Sequence, residues 1–258
     1  MKRAEEIALW MRQQLTAAGA RGFVVGLNDG IDSAVVARLA QLAAPGAVVG
    51  VLMPCDGDPQ DEEDARSVAE RFALTTIRAD LAASCDALAA EAQAALLQLP
   101  ERAKNAAASD ARRGRSDIKS RLRMTTLYFI ASSLNYLVAG SGNRSELSIG
   151  YFTKHGDGGV DVAPIGHLLK SEVDALAREL GVPPAIIDRT PSAGLWRGQT
   201  DQEEMGFTNA VLERYLDEGP QAVPPALAMR IERETRASEH KRRMPPIPGD
   251  APSPAPSD

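Results

Sequence analysis

Aromatic residues are scarce in this 258-residue chain: two Trp, four Tyr and five Phe, 4% in all. A buried core must therefore rest on Ala, Leu, Val and Ile. Histidine is nearly absent, with three residues and no HExxH spacing, so a zinc site is not expected. The two cysteines, Cys55 and Cys85, have no metal-like spacing, and a reduced cytoplasmic setting is expected. No apolar run is long enough to span a bilayer. The start, MKRAEEIALWMRQQL, is amphipathic and carries acids, unlike a signal peptide. Basic charge is not in excess: the net charge is −6 and the isoelectric point about 5.3. That argues against bulk nucleic-acid or membrane-surface binding.

The 44% hydrophobic and 25% charged fractions are those of a soluble globular protein. The length suits one good-sized core, and no internal repeat is visible. One domain is expected over residues 1–244, with a disordered Pro-rich tail over 245–258. Residues 4–18 read as an amphipathic helix, with Ile7, Leu9, Trp10, Met11 and Leu15 on its apolar side and Gly19 as its stop. Short apolar runs at 23–27, 48–53, 74–77 and 136–139 read as buried strands. Helical patterns fill 34–42, 61–72, 81–99, 118–134 and 168–180, whereas the polar, basic stretch 101–116 reads as mobile. Strands alternating with helices predict an α/β fold, a doubly wound, mostly parallel sheet covered on both faces. Ligands then sit beyond the carboxyl ends of the strands.

Two glycine loops fall at those ends. The first, in FVVGLNDGIDSAVVARLA, runs from strand to turn to helix. Free N–H groups there suit phosphate oxygens. Asp32 is placed to hold Mg²⁺ on those phosphates and Ser33 to donate to an oxygen. A plain βα turn with Asp32 or Ser33 as helix N-cap explains the same residues. The second loop, GSGNRSELSIGYFTKHGDGGVD over 140–161, carries Gly140, Gly142, Gly156, Gly158 and Gly159. So many glycines imply close approach to a ligand or positive φ.

The first loop resembles the Ser-Gly-Gly-x-Asp-Ser loop of the N-type ATP pyrophosphatases. Gly30, Asp32 and Ser33 match, while Asn28 and Asp29 stand where that pattern has Ser and Gly. Asp tolerates a left-handed turn. Its carboxylate, however, repels a triphosphate unless a cation intervenes, and an outward orientation or a metal shared with Asp32 are the other possibilities. From about 117 to 207 the chain is similar to the ammonia-dependent NAD synthetases. The matching segments are 117–124, 140–161, Leu169–Val173, Pro191–Trp196 and Gly198–Asp201, followed by Glu239–Arg242 with Pro245-Pro246. Asp117 departs from that family's Asn, and His155 from its common Tyr.

The resemblance implies roles. Asp32 and Glu146 would hold Mg²⁺. Asn28, Gly30, Ser33, Ser141 and Ser192 would contact ATP, with Leu52 and Met53 beside the adenine. Lys170 would neutralise charge at the α-phosphate and the attacked carboxylate. Tyr128, Lys154, Asp161, His240 and Lys241 would face nicotinate adenine dinucleotide, as would Arg121 and Arg123 across a homodimer interface. Each has a plainer reading: a helix-dipole acid for Glu146, solvated basic faces for Arg121, Arg123, Lys170, His240 and Lys241, core packing for Leu52 and Met53. The stripe Leu122, Leu127, Ile130 and Leu134 fits either a dimer face or the chain's own core. Cys55 has no visible base partner and reads as a free thiol. The reaction implied joins nicotinate adenine dinucleotide and ammonia at the expense of ATP, releasing AMP and pyrophosphate. Free ammonia, or ammonia from a separate protein, is the expected nitrogen source, since the chain leaves no room for a glutaminase domain. A diverged member acting on another carboxylate, or a dinucleotide-binding protein without ATP turnover, are the alternatives that Asn28, Asp29 and Asp117 raise.

Overall fold

The computed structural model describes residues 2–100, 111–189 and 201–248. Helix α1 (Lys2–Ala18) leads into β1 (Phe23–Leu27), α2 (Ile31–Ala43), β2 (Val48–Leu52), α3 (Pro59–Arg71), β3 (Thr76–Arg78) and α4 (Ala82–Leu96). Then come the long α5 (Ala111–Leu134), β4 (Leu137–Ala139), α6 (Arg144–Ile149), α7 (Lys170–Leu180) and α8 (Pro184–Ile187). The C-terminal part holds α9 (Asp201–Met205), α10 (Asn209–Glu218), α11 (Pro225–Ala237) and α12 (Glu239–Arg242).

The four strands form one parallel sheet in the order β3-β2-β1-β4. β1 is central and apolar: Phe23, Val24 and Val25 are fully buried. Each such burial stabilises by ~1.5–3 kcal/mol, which explains why this run of β-branched residues takes the middle of the sheet. Crossing from β1 to β4 reverses the strand order, so the crevice between their carboxyl ends is the switch point where α/β sheets bind ligands. The α/β architecture expected from the alternating pattern is therefore the one observed.

Some local readings need correction. Leu9 and Trp10 are 52% and 39% exposed, and the buried face of α1 is Ala4, Ile7, Ala8, Met11 and Leu15. β3 lies two residues later than its apolar run, because Leu74 leaves the ladder to pack in the core and Thr76 pairs with Gly50. α5 starts at Ala111, so 111–116 is helix rather than loop, while 101–110 lies outside the described residues. The same holds for 249–258 of the tail. Leu122, Leu127 and Ile130 pack on the chain's own second core, formed by Val24, Val51, Met53, Cys55 and Val138. No described helix is long and apolar enough to cross a membrane.

Cys55 and Cys85 meet in that second core. Burial, reinforced by the Cys85 thiol beside it, pushes the Cys55 thiol up to about 11 from 9.0. Its contribution to stability is thus complete below about pH 9 and is lost as pH rises toward 11, where only the unfolded chain ionises readily. A Cys55→Ala variant should show a shallower loss of urea midpoint than the parent between these two pH values.

Candidate active site

The carboxyl ends of β1, β2 and β4 open into one cavity of about 1290 Å³. Its lining includes Asn28, Asp32, Met53, Ser141, Glu146 and Lys170, drawn from loops some 140 residues apart in sequence. Gly30, Ser33, Arg123 and Lys241 line it too.

The first loop ends on α2, whose N-cap Gly30 supplies no side-chain cap. Exposed helix N–H groups and the positive dipole end therefore face the cavity. Asn28 folds its amide back into the turn. Its Oδ1 accepts the Gly30 N–H at 3.0 Å and the Ser33 hydroxyl at 2.6 Å. Those donors are the ones a phosphate would take, so the Asn28 oxygen is an internal competitor for them.

Asp29 is buried and points neither outward nor to Asp32. Its Oδ2 meets Arg189 Nε at 2.9 Å. Burial first, then the nearby Asp61, pushes its carboxyl above the ordinary range, against the lowering effect of Arg189. Sequence reasoning did not find Arg189, which lies 160 residues away in no recognisable pattern.

Asp32 sits in the first turn of α2. One oxygen ion-pairs with Lys170 and the other accepts Asn143 Nδ2 at 3.1 Å. Asn143 is fully buried and caps α6: its Oδ1 accepts the Glu146 N–H at 3.0 Å, and Glu146 Oε2 accepts the Asn143 N–H at 3.1 Å. Asn143 thereby joins the two carboxylates expected to hold a cation. Among the described residues no group of three or more His, Cys, Asp or Glu forms a metal site. Asp32 and Glu146, with triphosphate oxygens, could supply the hard oxygen set that Mg²⁺ prefers. Lys170 opens α7, is 8% exposed, and its N–H donates to Ser145 Oγ at 3.2 Å.

The second loop is laced to α5. Ser120 Oγ donates to Asp157 Oδ1 at 2.6 Å, Thr153 N–H to the same atom at 2.9 Å, and Thr153 Oγ1 to Asp117 at 2.9 Å. Gly140, Gly142, Gly156, Gly158 and Gly159 have no positive φ; the left-handed residues of the loop are its sixth glycine, Gly150, and His155. A Cβ at Gly156 would lie 2.5 Å from Ser120 Oγ, and one at Gly158 2.4 Å from the Phe152 ring. Those two are demanded by packing of the loop on its own chain. Lys241 donates to the carbonyls of Gly150 and Phe152, each at 2.7 Å.

Other expected residues lie outside the cavity. Arg121 Nε donates to the Lys154 carbonyl at 3.3 Å, and Lys154 Nζ to the His240 carbonyl at 2.7 Å. The Tyr128 hydroxyl donates to Asp161 Oδ1 at 3.1 Å. Burial and that carboxylate push Tyr128 up to about 12. His240 is exposed on α12. Ser192, with Pro191–Trp196 and Gly198–Thr200, falls outside the described residues.

A family model described as NAD synthase matches residues 3–245. The chain belongs to the NAD synthase family. The NH(3)-dependent NAD(+) synthetase of Carboxydothermus hydrogenoformans is 47% identical over 96% of this chain and 97% of its own length. Among solved structures, the NMN synthetase of Francisella tularensis superposes with a TM-score of 0.86 at 33% identity, covering 96% of this chain and 98% of that one. The NH3-dependent NAD synthetase of Campylobacter jejuni gives 0.75 at 26% identity, covering 95% and 97%. In a phosphate-binding loop, the Asn28 oxygen would compete for the Gly30 and Ser33 donors. Asn28→Ser should lower the ATP KM roughly fivefold by freeing one hydrogen bond's worth of donor, read from initial rates at varied ATP.

Proposed function

We propose that the chain is an ATP-dependent ligase that converts nicotinate adenine dinucleotide and ammonia to NAD. The observation carrying this reading is the convergence of Asp32, Glu146 and Lys170 on one cavity beneath an uncapped helix N-terminus, in a chain of the NAD synthase family. A nicotinate carboxylate oxygen attacks the α-phosphorus of ATP and pyrophosphate leaves with the bonding pair. Ammonia then attacks the acyl carbon of the adenylate, loses a proton, and AMP departs. Mg²⁺ bound by Asp32 and Glu146 would screen the triphosphate charge during the first step. Lys170, drawn toward Asp32 in the structure, is placed to carry positive charge to the α-phosphate and the attacking carboxylate. The α2 N-terminus would hold the departing pyrophosphate by its backbone N–H groups. Met53 and Leu52 offer an apolar wall for the adenine. No covalent enzyme intermediate is required, so the site needs positioned charge rather than a nucleophile.

The likeness to the Francisella NMN synthetase favours a second reading for the carboxylate, nicotinate mononucleotide. Both substrates present the same pyridine carboxylate and differ by the adenylate half. A mass-spectrometric assay with ATP, Mg²⁺ and ammonium, run on each substrate in parallel, separates the readings. A higher kcat/KM on the dinucleotide supports NAD synthesis, and a higher value on the mononucleotide supports NMN synthesis. Absence of AMP from both would sink the ligase reading.

Arg121, Tyr128, Lys154 and Asp161 lie on the surface of α5 and the second loop, outside the cavity. That placement supports a homodimer in which the dinucleotide crosses between copies. Phe129 at 74% exposure, with Leu88 and Leu96 on α4, supplies apolar surface for such a face. Sedimentation should give a dimer at micromolar concentration that Phe129→Glu converts to monomer; a monomeric parent would remove the interface.

A further inference from the structure

The altered first loop carries its own correction elsewhere in the chain. The Arg189 guanidinium uses all three nitrogens on carboxylates: Nε on Asp29 at 2.9 Å, Nη2 on Asp61 at 2.5 Å, and Nη1 on Asp64. A planar fork held at three points has one orientation. Its anchor is fixed as well, because Asp61 Oδ2 also accepts the Asp58 N–H at 3.2 Å in the capping box of α3. The line of support therefore runs from the α3 N-terminus through Arg189 to Asp29 in the turn. Asp29 is 7% exposed and lines the same cavity as Asp32 and Ser33. Without a partner, a carboxylate there would face the triphosphate in a site partly shielded from water, where charges interact strongly. With three acids on one guanidinium, no spare positive charge remains for phosphate. Arg189 thus acts on Asp29, not on ATP directly.

We infer that Arg189 is a positioning residue that neutralises and orients Asp29, and that this pair is what makes the Asn28-Asp29-Gly30 loop compatible with ATP. The inference rests on the proposed use of ATP and is independent of which carboxylate is amidated. Loss of Arg189 is felt at the loop through the charge it uncovers on Asp29, so its effect must shrink when Asp29 is removed too.

The test is calorimetric binding of Mg·ATP, without carboxylate substrate, to the full chain and to Arg189→Ala, Arg189→Lys, Asp29→Asn and Asp29→Asn/Arg189→Ala. Arg189→Ala should weaken binding by about tenfold or more through the uncovered charge, with Arg189→Lys intermediate. The double variant should bind more tightly than Arg189→Ala, short of the parent because Asp61 and Asp64 stay uncovered, and Asp29→Asn alone should tighten binding. A double variant as weak as Arg189→Ala would overturn the inference, because a purely structural brace is not restored by deleting the second partner. Should Arg189→Ala not fold, Asp29→Asn decides: tighter binding supports the pair, and weaker binding overturns it. A parent chain that binds no Mg·ATP also overturns it. A parent that binds Mg·ATP with the expected pattern but amidates neither nicotinate substrate leaves the pair standing and removes only the proposed reaction.

Discussion

The ion pair between Lys170 and Asp32 joins the two halves of the molecule. Asp32 belongs to the first βα turn and Lys170 to the start of α7, 138 residues later, and both side chains are largely withdrawn from solvent. A buried pair of this kind gives little net stability, because desolvation offsets most of the Coulomb gain. Losing one partner is different: it strands a charge at a cost of ~3–5 kcal/mol, a large fraction of the stability of a domain. The fold is therefore committed to bringing these two elements together. Asn143 completes the junction by bonding Asp32 on one side and capping α6 on the other. The geometry that organises the helix termini is also the geometry that collects two carboxylates and one ammonium around an open cavity. Stability and chemistry draw on the same few hydrogen bonds.

Much of this was legible in the sequence where local rules and tertiary needs agree. Phe23–Leu27 read as a buried strand because only a central parallel strand tolerates unbroken apolar character, and that is where it lies. Gly19 read as a helix stop and does have positive φ. The grouping of Asp32, Glu146 and Lys170 came from motif resemblance, and the cavity gathers all three. Where expectation failed, a non-local partner had decided. Leu9 and Trp10 look apolar at helical spacing, but only one face of α1 is buried, packed beside α2, and Ala4, Ile7, Ala8, Met11 and Leu15 fill it. The leucines of α5 fitted either an outer interface or the chain's own core, and the second core claims Leu122 and Leu127.

Charge compensation was the least legible layer. Asp29 in isolation reads as a repulsive defect in a phosphate loop. Its partner Arg189 lies in a segment with no periodicity, and its two other acids stand on α3 as ordinary exposed-looking helix residues. Pairing of this kind depends on where three loops end in space, which neither propensity nor motif spacing encodes. The glycines of the second loop taught the converse lesson. Their density suggested ligand contact, while Gly156 and Gly158 serve contacts between Ser120, Phe152 and their own backbone. A glycine requirement states that something comes close without saying what.

The C-terminal clasp has a consequence for how the molecule is made. Lys241 holds the carbonyls of Gly150 and Phe152, and Ser238 Oγ donates to the Ile149 carbonyl at 2.8 Å, beside a Gly150 where any Cβ would collide with it. During synthesis the sheet and the first loop leave the ribosome long before residues 238–241 exist. Domains fold as units, so the second loop stays unbraced until residues 238–241 have emerged. A chain terminated upstream of Ser238 would lack the clasp on the Ile149, Gly150 and Phe152 carbonyls.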